Sequence, residues 1–177
     1  MAIKKYEKII NMIIFVSHSS KDNEFIDVIR SIMKKIGVDF YQVETDMCSS
    51  TIYEQIREYV NISSAVVVIL TSNVIDNKTT RDNVLFEIGA AYALHNDIYI
   101  FVEESVVEME RVPMATSYIT GFKKFKQLDE NTAKERAEQL NKKLENFKEL
   151  NGHQNKISAM QGVMGTILDI DYLKNSF

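Results

Sequence analysis

Glu87 is the residue of this chain best suited to do chemistry. It is the only charge in the run Asn83-Val84-Leu85-Phe86-Glu87-Ile88-Gly89-Ala90-Ala91-Tyr92-Ala93-Leu94. A carboxylate among apolar neighbours is costly unless something satisfies it. It is therefore either a structural acid at the edge of an apolar face or an acid turned toward a ligand cleft. In the second role it can stabilise positive charge developing on a sugar ring and hold hydroxyl groups, as carboxylates do in glycosidases. Burial works against ionisation, so a working Glu87 needs a hydrogen-bond donor close by. Asn83, one turn earlier on the same helix face, is one candidate; Ser17 and Ser72, at neighbouring strand ends, are the others.

Other reactive residue types are sparse. His18, His95 and His153 are scattered without ligand spacing, so no structural metal is expected. Cys48 is the single cysteine, which rules out an internal disulfide and suits a reducing, cytoplasmic setting. No neighbouring cation stands out to activate its thiol. There is no Gly-x-Gly-x-x-Gly after the first strand and no Walker motif, which disfavours ordinary Rossmann or P-loop binding. Phosphate donors are instead expected in the backbone of the turn from Ser17 to Asp22 and at the positive end of the helix after it. Lys21 and Arg81 either add charge there or are solvated surface residues.

These residues need a frame. Ile13 to Ser17 reads as a buried strand, followed by a polar turn and a helix capped by Ser20 or Asp22. Phe25, Ile26, Ile29, Ile32, Met33 and Ile36 form that helix's apolar face, and Gly37 stops it. Val38 to Val43 reads as a second strand, Glu44 to Ser50 as a loop, and Ile52, Ile56, Tyr59 and Val60 as a second amphipathic helix. Ala65 to Leu70 is apolar on both faces, as in the centre of a parallel sheet. Thr71 to Arg81 reads as a loop. Thr79, Thr80 or Asp82 then caps a mostly buried helix that carries Glu87, with Val84, Ile88, Ala91 and His95 at helical spacing. Small Gly89, Ala90 and Ala91 allow close approach, by the sheet or by a ligand. Ile98 to Val102 is a fourth strand, and Gly121 to Phe125 a short fifth.

Strand and helix alternate, which predicts an open α/β fold with ligands beyond the carboxyl ends of its strands. The loops after the first three strands and the start of the Glu87 helix share that edge. Further on, Ala133, Ala137, Leu140, Leu144 and Phe147 stripe a charged helix over Asn131 to Leu150, either packed on the sheet or in a coiled coil. Ile157, Met160, Met164, Ile167 and Leu168 mark a last helix that completes the core or makes an oligomer contact.

The 177 residues suit one domain, and 45% hydrophobic with 26% charged residues suits a globular one. A net charge of −4 argues against nucleic acid or an anionic membrane as partner. No apolar run reaches the ~18 residues of a membrane span, and the first twenty residues do not read as a signal peptide.

Phe15-Val16-Ser17-His18-Ser19-Ser20-Lys21-Asp22 resembles the opening of Toll/interleukin receptor (TIR) domains, in which the first strand ends in a Ser-rich, Lys-Asp turn. The resemblance continues through Asp46-Met47-Cys48-Ser49-Ser50, the end of the Val66 to Ser72 strand, and Asn83-Val84-Leu85-Phe86-Glu87-Ile88-Gly89. It covers residues about 11 to 126. It implies a flavodoxin-like TIR domain over residues 1–126, with a sheet of about five parallel strands flanked by helices, and a C-terminal helical extension, 127–177, packed on the same domain. In the family's enzymes it also implies cleavage of NAD between nicotinamide and ribose. Glu87 matches the family's catalytic glutamate, and Ser17, His18, Ser20, Lys21, Asp46, Ser49, Ser72 and Asn83 become the candidate NAD contacts.

NAD is then substrate rather than cofactor. Family members commonly carry Trp four positions before the glutamate, where this chain has Asn83 and no Trp anywhere. That resembles a prokaryotic branch with an Asn-Val-x-Phe-Glu-x-Gly motif, which serves antiviral defence by destroying NAD or cyclising ADP-ribose. Stand-alone TIR subunits of Thoeris-type systems are similar. The same resemblance implies self-association and a trigger supplied by a separate sensor or effector protein.

Two other functions compete. One is an interaction or nucleotide-sensing module without chemistry. The other is a nucleoside deoxyribosyltransferase-like enzyme, whose glutamate helix Phe86-Glu87-Ile88-Gly89-Ala90-Ala91-Tyr92-Ala93 resembles as well.

Overall fold

A computed structural model describes residues 12–42, 50–108, 120–126, 130–145, 152–168 and 170. Its centre is a five-stranded, wholly parallel sheet: β1 (Met12–Ser17), β2 (Val38–Tyr41), β3 (Ala65–Leu70), β4 (Asp97–Glu103) and β5 (Gly121–Phe125), in the order β2-β1-β3-β4-β5. This is the flavodoxin-like order. The order in which successive strands are added reverses between β1 and β3, the place where such sheets open a crevice beyond their strand ends.

The helices are α1 (Asn23–Lys35), α2 (Ser50–Ile62), α3 (Ser72–Ile75), α4 (Lys78–Ala93), α5 (Glu104–Glu108), α6 (Glu130–Leu144) and α7 (His153–Ile167). Period-two alternation splits the core into two layers. Ile14, Val16, Val67, Ile69 and Phe101 point toward α1, α6 and α7. Phe15, Val66, Val68, Leu70, Ile100 and Val102 point toward α2 and α4. In α6, Ala133 and Ala137 are buried and Leu140 and Leu144 pack against them; in α7, Ile157, Met160, Met164, Ile167 and Leu168 are buried in the same layer. Core packing, not an oligomer contact, accounts for that last apolar stripe. Gly37 ends α1 at φ 77°, a conformation that favours glycine.

The structure changes several local expectations. Thr71 to Arg81 is not one loop. Buried Val74 and Ile75 wind α3, and α4 starts at Lys78. The cap is Asn77, whose side chain accepts from the Thr80 N–H at 3.1 Å, so Thr79, Thr80 and Asp82 lie inside the helix. Nor is α4 mostly buried. Its buried positions are Val84, Glu87, Ile88 and Ala91, a single i, i+3, i+4, i+7 stripe. Phe86 and Tyr92 are exposed, and His95 stands past the helix end at φ 59°. β2 stops at Tyr41 rather than continuing to Val43, which with 44–49 lies outside the described residues, as does Phe147. At the start of α1, Ser20–Asp22 form a 3-10 turn capped by Ser19, and the Asp22 carboxylate makes no capping bond.

Candidate active site

Glu87 occupies a core position of α4, where the helix faces the sheet. Ser17 is the last residue of β1 and shares its strand face with Phe15, which packs in the α2/α4 layer. Strand parity and helix stripe thus aim the two side chains at each other across 70 residues of sequence. The Ser17 hydroxyl donates to Glu87 Oε2. Both residues are buried, Ser17 at 1% exposure and Glu87 at 3%. Burial pushes the Glu87 carboxyl up from 4.5 to about 7, and the Ser17 hydrogen bond opposes that rise.

This pairing fixes the height of α4. Because Glu87 meets the final residue of β1, the nine helical residues before it, about 13 Å at 1.5 Å each, stand beyond that strand end. Asn83 is among them, half-buried and one turn before Glu87.

The other candidates fall in different places. His18 does not turn to an open site: Nδ1 lies 2.8 Å from the Ser19 carbonyl and Nε2 2.8 Å from Gln42 Oε1, which also accepts from Arg30 at 2.6 Å. Ser20 and Lys21 are exposed on the turn. Three of the turn's N–H groups are already used. Lys21 N–H donates to Ser19 Oγ at 3.3 Å, Asp22 N–H to the Ser19 carbonyl at 2.9 Å and Asn23 N–H to the Ser20 carbonyl. Ser72 starts α3, and its N–H donates to Glu103 at 3.4 Å; of the three expected donors for Glu87, Ser17 makes the contact. Arg81 lies 4.0 Å from Asp82. Gly89 faces open space, so it is Ala91, not Gly89, that lets the sheet come close. Asp46, Cys48 and Ser49 lie outside the described residues. Among the described residues no group of three or more His, Cys, Asp or Glu side chains is arranged to hold a metal.

Two buried carboxylates went unrecognised in the sequence. Asp22 accepts from the Thr71 hydroxyl at 2.6 Å and the Asn73 amide at 2.7 Å, tying the turn after β1 to the end of β3. Glu103, at the end of β4, accepts from Ser105 and from the Ser72 N–H. Asp22 resembles an ordinary helix cap, and its partners are some fifty residues away. No local spacing marks such a clamp.

A hollow of about 1130 Å³ lies between α2 and α4, lined by Tyr53, Arg57, Phe86 and Gly89 among others. It is on a different face of α4 from Glu87. No described helix is long and apolar enough to cross a membrane.

A family model, the TIR domain of CAP12/Pycsar effector proteins, matches residues 13–120. The chain belongs to this family. Ser17, Glu87 and the residues between them fall inside the match. No curated protein matches.

Among solved structures, a CMP N-glycosidase of Clostridium botulinum is 12% identical with a TM-score of 0.46, over 73% of this chain and 98% of that one. Diflavin flavoprotein A3 of Nostoc sp. is 14% identical with a TM-score of 0.46, over 90% and 96%. The metal-soaked Flv1 flavodiiron core of Synechocystis sp. PCC6803 is 15% identical with a TM-score of 0.43, over 77% and 37%. At these values none of the three bears on what this chain does.

Proposed function

We propose that this TIR effector cleaves the bond between nicotinamide and ribose in NAD, with Glu87 as the catalytic residue and NAD as substrate. The observation that supports this reading most is a buried, titratable carboxylate at the end of β1, beside the point where the strand order reverses. The chemistry asks for little else. Nicotinamide leaves as a neutral base from a cationic precursor, positive charge spreads onto the ribose, and the anomeric carbon then bonds either water, which gives up a proton to solvent, or the adenine of the same molecule. An ionised carboxylate in a low-dielectric site stabilises that charge and accepts from the ribose hydroxyls.

In this proposal Asn83, above Glu87 on α4, and Ser72 border the ribose and nicotinamide. Exposed Ser20 and Lys21 reach the phosphates, and Asp46 and Ser49 complete the contacts from the second loop. His18, engaged with Ser19 and Gln42, shapes the turn instead of touching substrate. Self-association of TIR domains and a separate sensor protein would supply the trigger.

The test is incubation with NAD at high protein concentration, followed by separation of products. Nicotinamide release is expected to rise with pH through about 7, as Glu87 ionises, and Glu87→Ala is expected to abolish it while retaining its circular dichroism. Full turnover by that variant would remove the proposal. Base exchange between deoxynucleosides would favour the transferase reading instead. Assembly without consumption of NAD would favour the interaction module.

A further inference from the structure

We propose that Ser17 is a positioning residue for Glu87: a neutral donor that fixes the carboxylate at the end of β1 and supports its charged form without cancelling the charge. The inference rests on the reading that Glu87 is catalytic, and it assigns Ser17 a role other than substrate contact.

The geometry carries it. β1 lies inside the sheet, paired with β2 as far as Phe15 and with β3 through Ser17, which stands opposite Val68, so Ser17 is anchored at the end of an interior strand. Glu87 is anchored by the buried stripe of α4. A hydrogen bond between two such elements leaves the carboxylate one orientation.

The charged groups on the surrounding elements are bonded to other partners or face the outer hollow. Asp22 accepts from Thr71 and Asn73. Glu103 accepts from Ser105 and the Ser72 N–H. On α4 itself, Arg81 lies beside Asp82. On α2, Glu54, Arg57 and Glu58 line the outer hollow. His18, next to Ser17, is bonded to Ser19 and Gln42. Among the described residues no ion pair reaches Glu87.

A cation at the position of Ser17 would hold Glu87 ionised, but it would also neutralise the charge that a developing oxocarbenium centre needs. A hydroxyl supports the anion through one hydrogen bond and leaves the net charge at −1. With its only proton committed to Glu87, Ser17 Oγ can thereafter only accept. The remaining lone pairs of Glu87 therefore stay acceptors, which suits the hydroxyls of a ribose.

The test uses the full chain with 13C-labelled glutamate carboxyls, Glu87 being assigned by its absence in Glu87→Gln. In Ser17→Ala the Glu87 titration midpoint is expected to move up by about one pH unit, the loss of one hydrogen bond to a charged group. The acidic limb of nicotinamide release should move with it. The rate near pH 7 should fall about fivefold and recover in more alkaline solution, with KM little changed. Ser17→Thr, which keeps the hydroxyl, should restore the wild-type midpoint.

An unchanged midpoint in Ser17→Ala overturns the proposal, even if turnover falls. If Ser17→Ala does not fold, Ser17→Cys, of similar size and a weaker donor, must move the midpoint the same way by less, and an unmoved midpoint there is equally fatal. Should the wild-type chain release no nicotinamide at any pH, the catalytic reading fails, while the midpoint still decides whether Ser17 governs Glu87.

Discussion

Replacing Glu87 by Gln should stabilise the protein, and increasingly so as the pH rises from about 4.5 through 7. The folded-state carboxyl titrates at about 7, against 4.5 for an unperturbed one. Between those values the folded chain holds a proton that the unfolded chain has released. Stability therefore falls as pH rises through this window, and the loss is complete once the folded carboxyl has ionised. A difference of 2.5 pH units at 1.36 kcal/mol each comes to about 3 kcal/mol. Gln is nearly isosteric, can still accept from the Ser17 hydroxyl through its amide oxygen, and carries no charge at any pH. The two proteins should accordingly match at about pH 3.5, and the variant should lead by about 3 kcal/mol from neutral pH up to about pH 8.5. For a chain of this length that is a melting temperature higher by roughly 6–12 °C. Urea denaturation of both proteins across that range is the assay. All other titrating groups cancel in the comparison. A stability difference that stays flat with pH would refute the claim that burial dominates at Glu87.

Two further perturbations address how the rim and the second layer are held. Asp22→Ala removes both acceptors for Thr71 and Asn73, and should cost roughly 2–4 kcal/mol in chemical denaturation; a loss below the error of that measurement would mean the clamp is decorative. Lys156 is buried on α7, with its ammonium donating to the Gly37 carbonyl at 3.3 Å beyond the C-terminal end of α1. Lys156→Met, which keeps the apolar stem, should therefore be neutral or stabilising by about 1–2 kcal/mol, whereas Lys156→Ala should destabilise, and thermal melts of the two will separate stem from charge.

What could be read from the sequence, and what could not, follows the range of the interactions involved. Ala65 to Leu70 and Ile98 to Val102 declared themselves as central parallel strands because both faces of each are buried, and no polar residue interrupts them. Gly37 marked the end of α1 because the φ of 77° it adopts suits glycine. Glu87 stood out because a charge in an apolar stripe is expensive. By contrast, α3 was hidden: four residues are too few to show a period, and Asn77, Thr79, Thr80 and Asp82 all have capping chemistry. Only the three-dimensional reach of Asn77 Oδ1 to the Thr80 N–H decides among them. The Asp22 clamp was hidden for the opposite reason, since its partners are brought in by the parallel crossover from β1 to β3.

The same distinction bears on which residues of the turn after β1 can meet a ligand. Their types, Ser-His-Ser-Ser-Lys-Asp, suggest a row of polar contacts. Their bonds say otherwise. Ser17 is spent on Glu87, His18 on Ser19 and Gln42, Ser19 on the cap and Asp22 on β3 and α3. A turn held at so many points can keep Glu87 in one orientation although burial disfavours its charge. The side chains left over, Ser20 and Lys21, are exposed. Substituting either should therefore weaken substrate binding and leave the Glu87 titration where it is, whereas substituting Ser17 should do the reverse. A Lys21→Ala variant that shifts the Glu87 midpoint without affecting KM would break this division of labour.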